Sequence, residues 1–322
     1  MTTVHKRKDT RIWSRELATL HSVWPAQCHL LVADNLGNCY GESDVCSVID
    51  LGVPPGGRIG RALLGGWRVV QYNRRFRPEV VHFHDPELIF PGLLLSLLGY
   101  RVVYDVHEDF GHIVTTREWI PKPASVPLSY LIPKIEGNAA EQFDAIVTVS
   151  DWIAAPFRDR SVPVTVTHNF PRTESLQQAT DPIERTQAHV LCYVGGLQEL
   201  RGIYRMLELL ETLLERGVNV ELWALGSWSP DEDHTRVKRF IQQRELEEYV
   251  RFPGYLSYEN MFQYLHSADV GLALLDVEHY EKGVPTKFFE YLYAGLPIVT
   301  TPVDAVGKFM PEQYCHVVPQ GD

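Results

Sequence analysis

Lys287 and Glu290 open the stretch Lys287-Phe288-Phe289-Glu290-Tyr291-Leu292-Tyr293, which follows Gly283-Val284-Pro285-Thr286 and runs into Gly295-Leu296-Pro297. A proline suits the first turn of a helix, where its missing N–H leaves nothing unpaired. Gly295 and Pro297 stop that helix, and Ile298-Val299-Thr300 is short and β-branched, as a buried strand should be. The run therefore reads as loop, helix, turn, strand. A helix start presents free N–H groups and partial positive charge, which suits a phosphate, and Lys287 adds a full charge there. Glu290 sits one turn in, within reach of a sugar hydroxyl beside that phosphate. The competing reading is an ordinary amphipathic helix, with Glu290 an acid favoured by the helix dipole.

A second group lies earlier. Tyr193-Val194-Gly195-Gly196-Leu197-Gln198-Glu199-Leu200-Arg201-Gly202 reads as strand, glycine loop and helix start. Glycines let a backbone approach a diphosphate, and Arg201 can neutralise it. The alternative is a loop glycine pair with a surface arginine. Gly226-Ser227 and the Val250–Tyr255 segment, with Gly254, close two further strands. Asp105-Val106-His107-Glu108-Asp109 also ends a strand, where open α/β sheets place ligands. His82 and His84 stand at one strand end, and one of them is expected to face the core. Asp85 and Glu87 read as caps of the next helix. Residues Arg58–Arg77 hold six arginines around Leu63, Leu64, Trp67, Val69 and Val70. They read either as a basic amphipathic face on anionic lipid or as a solvated helix face.

The elements that must position these residues alternate between strand and helix throughout. Strands are expected at 28–34, 80–84, 101–107, 145–149 and 164–166, with helices near 10–23, 59–75, 86–98 and 129–142. Such alternation implies a parallel, doubly wound sheet. The polar, aperiodic stretch 171–188 reads as a linker. Residues 1–172 then form one Rossmann-like domain, 173–188 the linker and 189–322 a second such domain. At 322 residues the chain is long enough for two cores. Residues 1–180 hold 18 Lys+Arg against 19 Asp+Glu, while 181–322 hold 12 against 22, so the acidic excess belongs to the second half. Such a chain is a poor nucleic-acid binder. The five scattered cysteines contain no C-x-x-C pair, which fits a reducing cytoplasm rather than a disulfide framework or zinc site. Met1 to Lys8 lacks the apolar core of a signal peptide, and the longest apolar run, 88–98, is too short to span a bilayer.

The run Pro-x-Lys-x-x-Glu-Tyr-x-x-x-Gly-x-Pro at 285–297 resembles the nucleotide-sugar-binding segment of GT-B glycosyltransferases of family 4, in a short-motif branch. His-x-His-Asp-Pro-Glu-Leu at 82–88, Tyr-Asp-Val-His-Glu-Asp at 104–109 and His-x-x-x-Asp-x-Arg at 5–11 are similar to the first domain of that branch. The resemblance implies two Rossmann-like domains facing a cleft. It implies a donor nucleotide diphosphate sugar with its ribose on Glu290 and its diphosphate on Arg201 and Lys287. Gly195, Gly196, Gly226, Gly254, Pro285 and Thr286 would frame the nucleotide. Gly196 stands where the family has an arginine, which leaves more of the phosphate charge to Lys287. The family's first glutamate is out of place: Lys282 stands at its position and Glu281 is one off. His107 is the polar group expected near the transferred sugar. Transfer with retention and without metal or cofactor is implied, to a carbohydrate or lipid-linked acceptor, in cell-surface polysaccharide or glycolipid synthesis. The location implied is the cytoplasm or the inner face of the plasma membrane. Met1–Val4 is a stub of the expected first strand, and the family continues beyond the strand at Cys315–Val318, so a truncated product is expected. Two alternatives follow: a weak or inactive scaffold that binds a nucleotide, and a nucleotide-sugar epimerase.

Overall fold

The computed structural model describes residues 1–5, 7–23, 28–40, 46–116, 122–171, 181–228, 231–280 and 283–320. The chain forms two compact units, Met1–Asn169 and Phe170–Asp322. Half of the stretch read as a linker, residues 172–180, lies outside the described residues.

Unit 1 is built on parallel strands. β1 (His29–Val32) pairs with β2 (Ser47–Asp50), a strand the sequence pattern did not reveal. β3 (Val80–Phe83), β4 (Arg101–Val106), β5 (Ala145–Thr148) and β6 (Val164–Val166) pair in that order. Residues 1–3 lie between the two sets: the Thr2 amide donates to Leu31 O at 3.0 Å and the His84 amide to Met1 O at 3.2 Å. Asp85 makes no cap bond from its side chain. It accepts instead from the Thr2 hydroxyl at 2.9 Å and the Thr3 amide. Glu87 accepts from the Thr3 hydroxyl and from Arg61 Nε at 3.2 Å. These acids pin the edge of the sheet, because an amide beside a buried carboxylate is a better partner than a helix end that water still reaches.

Helix α1 covers residues 10–23 and is capped by the Asp9 carboxylate, which accepts from the Arg11 and Ile12 amides. α2 covers residues 57–76 and α3 Ile89–Leu97. Val69, Val70 and Asn73 of α2, and Ile89, Pro91 and Leu95 of α3, recur at helical spacing and are buried, on a strand core of Val81, Phe83, Val102 and Tyr104. α4 (Phe110–Thr116), α5 (Lys122–Ala140) and α6 (Asp151–Arg158) complete the unit. α5 starts ahead of the expected Ser129 and runs through Pro127 and Pro133. Each proline removes a helical hydrogen bond, and burial of Ser125, Glu136, Gly137, Ala139 and Ala140 outweighs that loss.

Unit 2 has one parallel sheet in the order β12-β11-β10-β7-β8-β9. Its strands are β7 (His189–Val194), β8 (Val220–Leu225), β9 (Val250–Gly254), β10 (Val270–Ala273), β11 (Ile298–Thr300) and β12 (Cys315–Val317). Between them run α7 (Ile203–Glu215), α8 (Asp231–Gln243), α9 (Tyr258–Ser267), α10 (Val277–Tyr280), α11 (Lys287–Tyr293) and α12 (Asp304–Phe309). All six residues of β8 are buried, as in a sheet covered on both faces. The strand order reverses between β7 and β10. In open α/β sheets such a reversal leaves a crevice at the carboxyl ends of the strands.

Candidate functional site

That crevice is where the predicted residues of unit 2 meet. Gly195, at φ +138°, follows β7 and Gly226, at φ +146°, follows β8, conformations that side chains rarely adopt. A Cβ on Gly226 would stand 1.9 Å from Gly195 O, so the two loops touch backbone to backbone. The Gly195 amide donates to Leu225 O and the Gly226 amide to Gly254 O, each at 2.9 Å. Gly195, Gly226 and Gly254 thus lie side by side on adjacent strand ends.

Two cations converge on this loop. Arg201 closes a one-turn helix, Glu199–Arg201, and its Nε donates to the Tyr280 hydroxyl at 3.0 Å. A Cβ on Gly196 would meet Arg201 Nη1 at 3.5 Å, so the guanidinium lies in the space that glycine leaves open. The Lys287 ammonium stands 3.9 Å from the centroid of the Tyr193 ring and 3.2 Å from where a Cβ on Gly195 would be. Lys287 is 7% exposed, and its Nζ has no hydrogen-bond acceptor among the described residues. Burial, and then repulsion from Arg201, hold its pKa well below the usual lysine range, while Glu290 pulls it back up. Glu290 is buried in the first turn of α11. Pro285 stands two residues ahead of that helix and supplies a carbonyl to the Phe288 amide at 3.3 Å. Thr286 is the N-cap but makes no cap bond through its side chain. Glu281 and Lys282 lie outside the described residues.

Three tyrosines that sequence reasoning passed over hold this arrangement. The Tyr193 hydroxyl donates to Gly196 O at 2.9 Å, fixing the loop beneath Lys287. The Tyr291 hydroxyl donates to Leu272 O at 2.9 Å and accepts from the Val194 amide at 3.0 Å, tying α11 to β10 and β7. Tyr280 holds Arg201. The available signal was position: Tyr193 one residue before the loop's first valine-glycine step, and Tyr291 next to Glu290.

His107 belongs to a different cluster, at the strand ends of unit 1. Arg11 is its hub. The Arg11 Nη2 donates to both Asp105 oxygens at 2.8 and 2.9 Å, Nη1 to Asn169 Oδ1 at 2.7 Å and Thr167 O at 3.1 Å, and Nε to His107 Nε2 at 3.0 Å. The accepting Nε2 assigns the His107 proton to Nδ1. Glu16 Oε1 lies 2.7 Å from Arg11 Nε without a directed hydrogen bond. Burial, and then the neighbouring Asp105 carboxylate, push Glu16 up to about 10. Burial opposes ionisation of Asp105, but the rings of His107, His82 and His84, 3.2 to 3.6 Å away, favour its charged form and hold the carboxyl well below its usual range. Burial keeps His84 neutral, its pKa well below the usual histidine range. Glu16, His82, His84 and Asp105 offer ligand atoms within 4.8 Å of one another. The Arg11 fork already covers both Asp105 oxygens and supplies the positive charge a cation would bring. Nearby, Arg7 is bidentate on Asp34 at 2.7 and 2.6 Å, which ties it to the loop after β1.

Residues 188–322 match the family model for glycosyl transferases group 1, and residues 21–172 the model for the glycosyl transferase 4-like domain. The chain belongs to the group 1 glycosyltransferases. Among relatives, it is 26% identical over 251 residues to glycogen synthase of Mycobacterium tuberculosis, covering 73% of this chain and 55% of the relative. This glycosyltransferase chain thus spans about half the length of that relative. Sucrose-phosphate synthase from Thermosynechococcus elongatus matches with TM-score 0.71 and 15% identity, over 98% of this chain and 81% of that one. Anabaena HepE, solved in complex with UDP-glucose, matches with TM-score 0.61 and 13% identity, over 91% and 86%. These structural likenesses establish the GT-B glycosyltransferase fold.

Proposed function

We propose that this chain transfers a sugar from a nucleotide diphosphate sugar to a carbohydrate or lipid-linked acceptor, with retention of anomeric configuration. One observation carries the reading. Arg201 and Lys287, two like charges, are held against one glycine loop, and the Lys287 ammonium is buried with no acceptor among the described residues. Such a pair is stable only at a cost, and an anion placed between the cations removes it. A diphosphate fits: the backbone of Gly195 and Gly196 admits it closely, and Gly226 and Gly254 flank the adjoining space. Glu290, one turn from Lys287, is the proposed ribose acceptor. HepE, which shares the fold, has been solved with UDP-glucose.

In the reaction the bond from the anomeric carbon to the diphosphate oxygen breaks, and the acceptor oxygen bonds to that carbon. The acceptor proton goes to the departing diphosphate. Arg201 and Lys287 stabilise the charge that develops on the leaving oxygen, a contribution of about 3 kcal/mol for one well-placed donor. His107, with its proton on Nδ1, is the proposed polar partner of a sugar hydroxyl. Polysaccharide or glycolipid synthesis is the proposed setting.

The test is calorimetry and thermal shift with UDP, GDP and ADP, followed by product analysis by NMR with the matching nucleotide sugar. A nucleoside diphosphate that binds the wild type, and not Lys287→Ala or Arg201→Ala, supports the site. Release of a sugar with the donor's anomeric configuration supports the reaction. Binding without turnover reduces the assignment to a nucleotide-binding scaffold, and an epimerised donor replaces it with an epimerase. Failure of all three nucleotides to bind overturns it.

A further inference from the structure

Both cations at the glycine loop of unit 2 are held by groups that bring no counter-charge. For Lys287 the holder is the face of the Tyr193 ring. For Arg201 it is Tyr280, whose hydroxyl accepts from Nε at 3.0 Å and whose ring centroid stands 5.9 Å from Cζ. Among the described residues no carboxylate pairs with Arg201. The nearby acids are engaged elsewhere. Asp276 accepts from the His279 amide at 3.0 Å, from Gln320 Nε2 at 2.9 Å and from Arg205 Nη2 at 3.5 Å, while Glu199 faces Arg236 at 3.5 Å. A phenol accepts a hydrogen bond without neutralising its donor, so the guanidinium keeps its full charge for a ligand.

Backbone contacts fix where these two side chains start. Gly202 follows Arg201 at φ +86°, and a Cβ there would stand 2.1 Å from Leu274 O, so glycine lets the Arg201 turn lie directly on the end of β10. The Asp276 amide donates to Leu200 O and the Tyr280 amide to Asp276 O, each at 3.0 Å. α10 and the Arg201 turn are thus joined through backbone, and the bond from Nε to the Tyr280 hydroxyl is its side-chain counterpart. With Nε committed, the donors left on the guanidinium are those of Nη1 and Nη2, the edge that can take two oxygens at once. Nη1 lies 3.4 and 3.5 Å from where Cβ atoms on Gly195 and Gly196 would be. Lys287 Nζ lies 3.2 Å from the same point at Gly195. Two cations from different elements therefore reach one place on the loop.

We propose that Tyr280 is a positioning residue that makes this site selective for a diphosphate over a monophosphate. The role rests on the nucleotide-sugar site proposed above and adds what decides its phosphate number. A monophosphate settles on Lys287 alone, a point charge that needs little orienting. A diphosphate spans both cations, and it gains directed hydrogen bonds from Arg201 only when the Nη edge faces the loop. The Tyr280 hydroxyl keeps it there. Without that acceptor the guanidinium turns about its side-chain bonds, and a ligand must order it again on binding.

The experiment is isothermal titration calorimetry of the full chain with inorganic pyrophosphate and with inorganic phosphate, and in parallel with UDP, GDP and ADP against their monophosphates. The wild type should bind the diphosphate more tightly. Tyr280→Phe keeps the ring and removes the acceptor. It should weaken diphosphate binding by about tenfold and leave monophosphate binding unchanged, so the preference collapses. Tyr280→Glu keeps an acceptor for Nε and adds a negative charge. It should weaken the diphosphate more than Tyr280→Phe does, while the melting temperature of the ligand-free chain rises because repulsion between the two cations is relieved. A Tyr280→Phe chain that keeps the wild-type preference overturns the proposal and leaves the nucleotide site standing. Parallel loss of both affinities with a lowered melting temperature gives Tyr280 a structural role only and overturns it as well, as does a wild type that binds the two alike. A wild type that binds no diphosphate in either series overturns this role together with the site on which it rests.

Discussion

The polar clusters at the strand ends of the two units answer the same physical problem in opposite ways. In unit 1 the N–H donors of Arg11 are all used inside: on Asp105, Asn169, Thr167 and His107. In unit 2 Lys287 is buried with no acceptor among the described residues, and its nearest cation is Arg201. The first cluster is closed and contributes stability. The second is held short of electrostatic balance, which is what a site for a polyanion requires. Sequence motifs alone do not separate the two, because both are charged groups following a strand.

The comparison can be broken in order of effect. Arg11→Ala leaves Asp105 buried without its fork and should cost about 3–5 kcal/mol in urea unfolding. A loss under 1 kcal/mol would show that cluster to be open as well. Arg201→Ala and Glu290→Ala should each lower donor turnover by about a hundredfold or more with the melting temperature nearly unchanged. Wild-type-like activity in either removes that residue from the site.

Lys287→Met should act in two directions at once. Removing an unpaired buried ammonium should raise the stability of the ligand-free protein by about 1–3 kcal/mol, while nucleoside diphosphate affinity falls. A variant that loses both shows Lys287 to be structural. The pH dependence has a definite sign. Lys287 is depressed in the folded chain, so between its folded pKa and the ordinary lysine value the unfolded chain binds the extra proton, and ligand-free stability rises with pH. A bound diphosphate restores the proton, so affinity should fall as pH rises through that range. Calorimetry in buffers of different ionisation enthalpy should register proton uptake on binding.

The last test is read as a slope against pH, on Glu16→Gln. Glu16 is raised in the folded chain, so its stabilising contribution is complete below pH 4.5 and is lost as pH rises toward about 10. Glutamine should flatten that decline, by up to about 1.4 kcal/mol per pH unit for one proton. An unchanged slope would place the titration elsewhere.

Much of this was readable beforehand, and the exceptions have causes. The parallel alternation, the glycine loop and the Lys287–Glu290 helix were legible because periodicity and glycine positions are local. The course of α5 through two prolines was not, since packing decided it. Asp85 and Glu87 carried the local signature of caps, yet their partners Thr2 and Thr3 stand more than eighty residues away in sequence. Gly196 read as a lost basic contact, and the structure puts the Arg201 guanidinium in the space beside it.

The sequence by itself determined that the chain is a parallel α/β protein with glycine-lined strand ends, basic groups near them and an arginine-rich α2. Those properties follow from residue type and spacing along one stretch of backbone. Only the tertiary structure decided which cations go without partners. Arg11 and Lys287 are alike as sequence, each a basic residue near a strand end. Burial beside Asp105 satisfies one and burial beside Arg201 leaves the other unpaired, because electrostatic balance depends on distances that the fold sets across dozens of residues.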